Sequence, residues 1–232
     1  MTPARAVRAF RRVVNRPRQL SPRTKQNVVR RFHQLYYYGR KTTWENTFWL
    51  NVPTAKCPFD LWVYQEIICE VRPDIIIETG TAHGGSALFM SSICELVNRG
   101  QIITIDIEEM AERPAHKRIK YVSGSSTSTE VVAQVRTLIK PEDRVMVVLD
   151  SDHRAEHVLQ ELQIYSSFVT VGSYLIVEDT NANGHPVLPL YGAGPWEAVE
   201  QFLSAQTDFD QDRGREKFFM TFNPRGYLRK VR

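Results

Sequence analysis

Five short apolar runs, spaced so that a helical stretch fits between most of them, constrain this chain more than any other feature. They are "DIIIETG", "QIITIDIE", "RIKYVSGSS", "RVMVVLDSDH" and "GSYLIVEDTN". Apolar runs of this length, bounded by turn residues, predict buried strands. Residues 86–96, "TEVVAQVRTLI" and "VLQELQIYSSFV" carry helical patterns between them, and "PWEAVEQFL" adds a helix after the fifth. Strands that alternate with helices predict an α/β fold with a doubly wound, mostly parallel sheet. The last segment, "EKFFMTFNPRGYLRKV", reads as an antiparallel strand pair turning at residues 223–226. Ahead of the first strand, "DLWVYQEIICEV" puts Leu61, Tyr64, Ile67, Ile68 and Val71 on one helical face, with Asp60 as its N-cap.

The strands occupy only part of the 232 residues. We expect one globular domain over residues 44–232 and a helical, basic N-terminal arm over residues 1–43. Residues 1–40 hold 11 Arg or Lys and no Asp or Glu, which leaves 19 basic against 26 acidic residues in the remainder, a net of −7. The basic character therefore belongs to the arm. Within it Ala6, Val7, Phe10, Val13 and Val14 recur at helical spacing among Arg5, Arg8, Arg11, Arg12 and Arg16. Such a helix suits packing on the body or on another subunit of a homo-oligomer, an anionic membrane surface, or a targeting role. Nucleic acid is not an expected partner, because the acidic body repels a phosphate backbone. Three cysteines without CxxC spacing suggest neither disulfides nor a zinc site, and no apolar run is long enough to span a bilayer. A cytoplasmic protein, peripheral to a membrane at most, is the expectation.

The strand ends carry the chemistry. Glu78, Asp106, Asp150 and the pair Glu178 and Asp179 close four of the five strands, and ligands of such sheets sit at those ends. An acid on the second strand accepts the hydroxyls of a ribose, which fits Asp106 to an adenosine cofactor. Gly80, Gly84 and Gly85 let backbone approach a ligand closely, yet Glu78 would repel a pyrophosphate over that turn. A nucleoside with a cationic or zwitterionic tail satisfies both conditions, and S-adenosylmethionine is such a molecule. Thr81, Ser86, Ser125 and Asp150 join these as candidate cofactor contacts. His83, in the glycine turn, is expected to shape the loop or touch cofactor.

Asp150, Glu178 and Asp179 end adjacent strands about 5 Å apart, so three carboxylates converge and require protons or a cation. Hard oxygen donors suit Mg²⁺, with Ca²⁺ or Mn²⁺ as alternatives. Asp152 competes with Asp150 for the strand end. His153 is the candidate general base, and His157 stands one helical turn further on. The alternative for these acids is a capping role at loop starts, and for His153 a surface position. The loop at 181–194, rich in Gly, Pro and Asn, reads as a lid carrying His185 and Tyr191, with Trp196 just beyond it.

The segments "KCPFDLWVYQEII", "ETGTAHGGSAL", "TIDIE", "LDSDH" and "GSYLIVEDTN" resemble the cephalosporin hydroxylase family, which includes rhamnosyl O-methyltransferases. The resemblance covers roughly residues 44–232. It implies a class I methyltransferase fold, S-adenosylmethionine at Glu78, Gly80, Gly85 and Asp106, Mg²⁺ on Asp150, Glu178 and Asp179, and His153 as base. The implied reaction is S_N2 methyl transfer to a hydroxyl of a sugar or small natural product, and related enzymes form oligomers. The pattern departs from catechol-type methyltransferases in having Asp179 where those have Asn. Two rivals stand beside it: a hydroxylase whose iron sits on His153, His157 and Asp150, and a noncatalytic binding module that keeps the cofactor fold.

Overall fold

The computed structural model describes residues 20–232. The arm helix expected over residues 6–14 lies outside them. Helix α1 (Pro22–Gly39) starts where Ser21 Oγ accepts from Thr24 N–H at 3.1 Å and Pro22 sets the first turn. A two-residue hairpin, β1 (Phe48–Trp49) with β2 (Val52–Pro53), leads to α2 (Pro58–Val71). There the alternation foreseen begins: β3 (Ile75–Thr79), α3 (Gly85–Leu96), β4 (Gln101–Asp106), β5 (Ile119–Ser123), α4 (Thr129–Thr137), β6 (Val145–Leu149), α5 (Ala155–Tyr165), β7 (Tyr174–Val177) and α6 (Pro195–Ser204). Strands β8 (Phe209–Gln211) and β9 (Tyr227–Lys230) finish the chain.

Seven strands form one sheet in the order β5-β4-β3-β6-β7-β9-β8. The first five are parallel, and β9 runs antiparallel between β7 and β8. The continuous apolar strands are the reason for the layering, because each must bury both faces. Ile75 and Ile77 of β3 enter one core with Val145, Val147 and Leu149, packed under α4, α5 and α6. Ile76 faces the other way, with Met146, Val148, Tyr64 and Ile67 beneath α2 and α3. Truncating a central residue such as Ile77 to Ala costs about 2–5 kcal/mol, since helices on both sides prevent collapse of the cavity.

Two expectations are corrected. Asp60 is not the N-cap of α2; Cys57 is. Asp60 is buried in the first turn, where its carboxylate accepts from Thr221 Oγ1, the Phe222 N–H and Tyr227 Oη. Burial nevertheless lifts its pKa to about 6. The closing strand pair exists, but β9 pairs with Phe209–Gln211 rather than with residues 217–222, which form no strand. The turn at 223–226 stands as expected, with Gly226 N–H bonded to the Asn223 carbonyl at 2.9 Å.

Candidate active site

The sheet reverses its direction of growth at β3, with β4 on one side and β6 on the other, and the crevice over this point is where such sheets bind ligands. The turn leaving β3 is shaped by glycine. Gly80 has φ +83°, and a Cβ there would lie 1.9 Å from the Asp150 carbonyl oxygen. The close approach of the β3 and β6 turns therefore excludes any side chain at this position. Gly84, at φ +80°, caps α3 in the left-handed region.

Asp106 holds this turn in place. Its Oδ2 accepts from the Thr81 and Ala82 N–H groups at 2.9 and 2.8 Å, and its Oδ1 from the Glu108 N–H at 3.0 Å. Arg113 Nη2 lies 3.2 Å from Oδ2 and Arg113 Nε donates to the Ala82 carbonyl, tying the loop after β4 to the glycine turn. Thr81 Oγ1 shares a 2.7 Å bond with Thr104 Oγ1. Ser125 follows Gly124, whose N–H bonds the Asp106 carbonyl at 2.8 Å, so it stands beside the β4 end. His83 is exposed in the turn.

Glu78 is fully buried at the penultimate position of β3. Thr104 Oγ1 donates to its Oε2 at 2.6 Å. Burial pushes its pKa up to about 7, against the pull of Lys56, and its Oε1 has no partner. An orphaned carboxylate oxygen at the mouth of this turn fits the amino group of S-adenosylmethionine and rejects a phosphate.

Across β3 the acids of β6 and β7 converge. One oxygen each of Asp150 and Asp179 and a ring nitrogen of His153 lie within 4.8 Å of one another, and His153 Nε2 stands 3.2 Å from Asp179 Oδ2. Asp179 adopts φ +54°, a left-handed conformation that costs a non-glycine residue about 1–3 kcal/mol and recurs where chemistry needs an aimed side chain. Its N–H is fixed by Asn223 Oδ1 at 3.2 Å. Glu178, grouped with these two in the sequence reading, is turned inward. Its Oε1 accepts from Tyr64 Oη at 2.7 Å and Lys56 Nζ at 2.6 Å.

Lys56 was missed in the sequence, where a lysine ahead of "CPFD" looks solvated. Its side chain is 7% exposed, and Nζ bridges Asp150 Oδ2 and Glu178 Oε1. Burial alone would strip its proton, but Asp150, Glu178 and Glu78 outweigh that and hold its pKa above the ordinary value. Burial raises the pKa of Asp150, Glu178 and Asp179 as well. One ammonium against these three carboxylates leaves two negative charges, which a divalent cation with hard oxygen preference would neutralise.

Neighbouring residues separate from the cluster. Asp152 is bound by Arg154, which lowers its pKa to about 2, so Asp150 and not Asp152 is the acid at the end of β6. His157 turns into a network with Ser126, Ser151 and Glu161. An iron triad of His153, His157 and Asp150 is therefore not assembled. In the loop at 181–194, His185 stacks on Trp196 with ring centroids 4.0 Å apart and donates toward Glu197, which also accepts from Asn183 and the Gly194 N–H. These aromatics pack on the base of their own loop. Tyr191 stays 42% exposed. Helix α1 braces the same loop through Gln34 Nε2 on the Pro186 carbonyl at 3.0 Å and Tyr38 Oη under the Leu188 N–H at 2.9 Å.

A family model described as rhamnosyl O-methyltransferase/CmcI matches residues 41–231. The chain belongs to this family. A rhamnosyl O-methyltransferase of Mycobacterium leprae (strain TN) is 37% identical over 215 residues, covering 89% of this chain and 92% of the relative. Among solved structures, CmcI in its N160 apo form superposes with TM-score 0.63 at 21% identity, over 81% of this chain and 77% of that one. The D160 form of CmcI, solved with Mg and S-adenosylmethionine, gives TM-score 0.60 at 19% identity, over 81% and 78%. The sheet order and these superpositions give this chain the class I methyltransferase fold.

Proposed function

We infer that this protein is an S-adenosylmethionine-dependent O-methyltransferase that acts, with a divalent cation such as Mg²⁺, on a hydroxyl of a sugar or glycoside. The observation that carries this reading is the meeting of Asp150, Asp179 and His153 beside the glycine turn, in a chain whose relatives are rhamnosyl O-methyltransferases. A sugar hydroxyl with a neighbouring oxygen is the natural acceptor, because two oxygens can share a cation.

Glu78 Oε1 would take the cofactor's amino group. Gly80, Gly84 and Gly85 would admit its backbone-facing edge, and Asp106 would meet the ribose with the lone pairs the turn leaves free. Thr81, Ser86 and Ser125 frame that volume. Asp150 and Asp179 would hold the cation, with Glu178 behind them on Lys56 and Tyr64. When bound, the cation would lower the pKa of the acceptor hydroxyl and the sulfonium would supply the methyl group. His153 then takes the hydroxyl proton, its Nε2 lying within reach of an oxygen seated against Asp179. The loop at 181–194, braced by α1, covers the acceptor and excludes water. Assembly of several copies, for which the exposed Phe48 and Leu50 of the β1–β2 hairpin offer contact surface, is a separate proposal tested by light scattering.

Isothermal titration of the purified chain with S-adenosylmethionine, with and without Mg²⁺, tests the cofactor half of the reading. Binding at one site per chain is the expected result. Absence of binding in both conditions would overturn it.

A further inference from the structure

Helix α5 breaks the pattern of its layer. Helices α4 and α6, which cover the same face of the sheet, bury only apolar residues: Val131 and Val135 on one, and Pro195, Ala198, Val199 and Phe202 on the other. Helix α5 sends Val158 and Leu162 into that core as well, but it also buries Glu161, with His157 one turn before it and Tyr165 one turn after. Residues four apart share a helical face, so these three form one polar stripe.

The stripe ends on the turns that flank the cofactor crevice. Tyr165 Oη donates to the Ser126 carbonyl at 2.7 Å, in the turn after β5. Ser151 Oγ, in the turn after β6, donates to Glu161 Oε1 at 2.7 Å. That bond uses the single proton of the Ser151 hydroxyl, so His157 Nε2, 3.2 Å from the same oxygen, stands there as the donor. It lies 3.3 Å from Ser126 Oγ and 3.5 Å from Glu161 Oε1. A Cβ on Gly80 would lie 2.9 Å from the Ser151 Cα, so the glycine turn after β3 rests on the same segment.

Packing alone does not call for this stripe. Apolar residues of similar volume are often as stabilising as buried ionisable groups, and Glu161 Oε2, which has no partner among the described residues, opposes folding. What the stripe adds is direction: each bond fixes a turn in one place, where apolar contacts would tolerate several. The turns it fixes carry Ser125 and Asp150, both candidate cofactor contacts.

We propose that Glu161 and His157, through Ser151, and Tyr165, through Ser126, are positioning residues that hold the turns after β5 and β6 at the spacing that receives the adenosine half of the cofactor. The proposal rests on the S-adenosylmethionine reading, and its test separates the two.

That test is isothermal titration of the full chain with S-adenosylmethionine and with 5′-methylthioadenosine, which lacks the amino-acid end, alongside urea unfolding of each variant. Glu161→Ala, Ser151→Ala and Tyr165→Phe should each weaken both ligands by the same factor, about tenfold, the scale of one lost hydrogen bond. Glu161→Gln keeps an acceptor for Ser151 Oγ and should bind within about twofold of wild type. Leu162→Ala, next on the same helix, should lose at least as much urea stability as Glu161→Ala while keeping wild-type affinity. Should Glu161→Ala fail to fold, Ser151→Ala and Tyr165→Phe, which each remove one hydroxyl, decide. Wild-type affinity in these variants, a loss confined to S-adenosylmethionine, or an equal loss in Leu162→Ala would overturn the proposal and leave the cofactor reading standing. A wild-type chain that binds neither ligand would overturn both.

Discussion

Replacing Lys56 with Met removes the one buried ammonium from the acid cluster and keeps the length of the side chain. Lys56 is almost fully buried and Nζ bridges Asp150 and Glu178, so the substitution leaves two carboxylates without their partner. Breaking a buried pair from one side costs about 3–5 kcal/mol, because the stranded charge cannot return to water. Urea unfolding in EDTA should show a deficit of that order. Added Mg²⁺ should narrow it, since a cation then meets a more negative site without a competing ammonium; each tenfold gain in affinity returns about 1.4 kcal/mol. The deficit should also shrink as pH falls. Asp150 and Glu178 already have pKa values raised by burial, and losing Lys56 raises them further. Acids with raised folded values bind more protons in the native state, so stability falls as pH climbs from the ordinary carboxylate range through the raised one. If Lys56→Met unfolds like the wild type in EDTA, or its deficit ignores Mg²⁺ and pH, the lysine is not the counterion of this cluster.

Four further outcomes are expected. Asp150→Asn should lower metal-dependent turnover by about two orders of magnitude or more while leaving S-adenosylmethionine affinity nearly unchanged by calorimetry. His153→Gln should lower kcat by about 10²–10⁴ with cofactor binding intact, measured in single-turnover assays. Cofactor affinity should rise with pH up to about 7 and then level off, because Glu78 is held protonated by burial below that point and must release its proton to meet the amino group; Glu78→Gln should flatten the dependence. Gly80→Ala should destabilise the chain by about 2 kcal/mol or more in urea, since a methyl group collides with the Asp150 carbonyl at a left-handed φ.

The parallel strands were legible because each is a continuous apolar run, a pattern that only burial on both faces explains. The acids at their ends could be read for the same reason, since the strand fixes which way the chain leaves. What the local pattern could not convey was long-range pairing. Asp60 looks like a cap from its position ahead of an apolar run, but its partners Thr221, Phe222 and Tyr227 lie more than 160 residues away. Glu178 and Asp179 are adjacent in sequence, yet the left-handed turn at Asp179 sends one toward His153 and the other toward Lys56 and Tyr64. Lys56 has no local signal, because nothing near it in the sequence reveals the two acids it bridges. Strand β8 is three residues of mixed polarity, too short to show a period.

Transfer of labelled methyl from S-adenosylmethionine to a rhamnoside, followed with Mg²⁺ and with EDTA, decides whether this site methylates a sugar hydroxyl with the help of a cation. A methyl ether on a sugar hydroxyl is expected in Mg²⁺, with loss of product in EDTA and in Asp150→Asn. Methyl transfer that proceeds equally in EDTA and in Asp150→Asn, or firm cofactor binding with no transfer to any sugar hydroxyl offered, would contradict the proposed function.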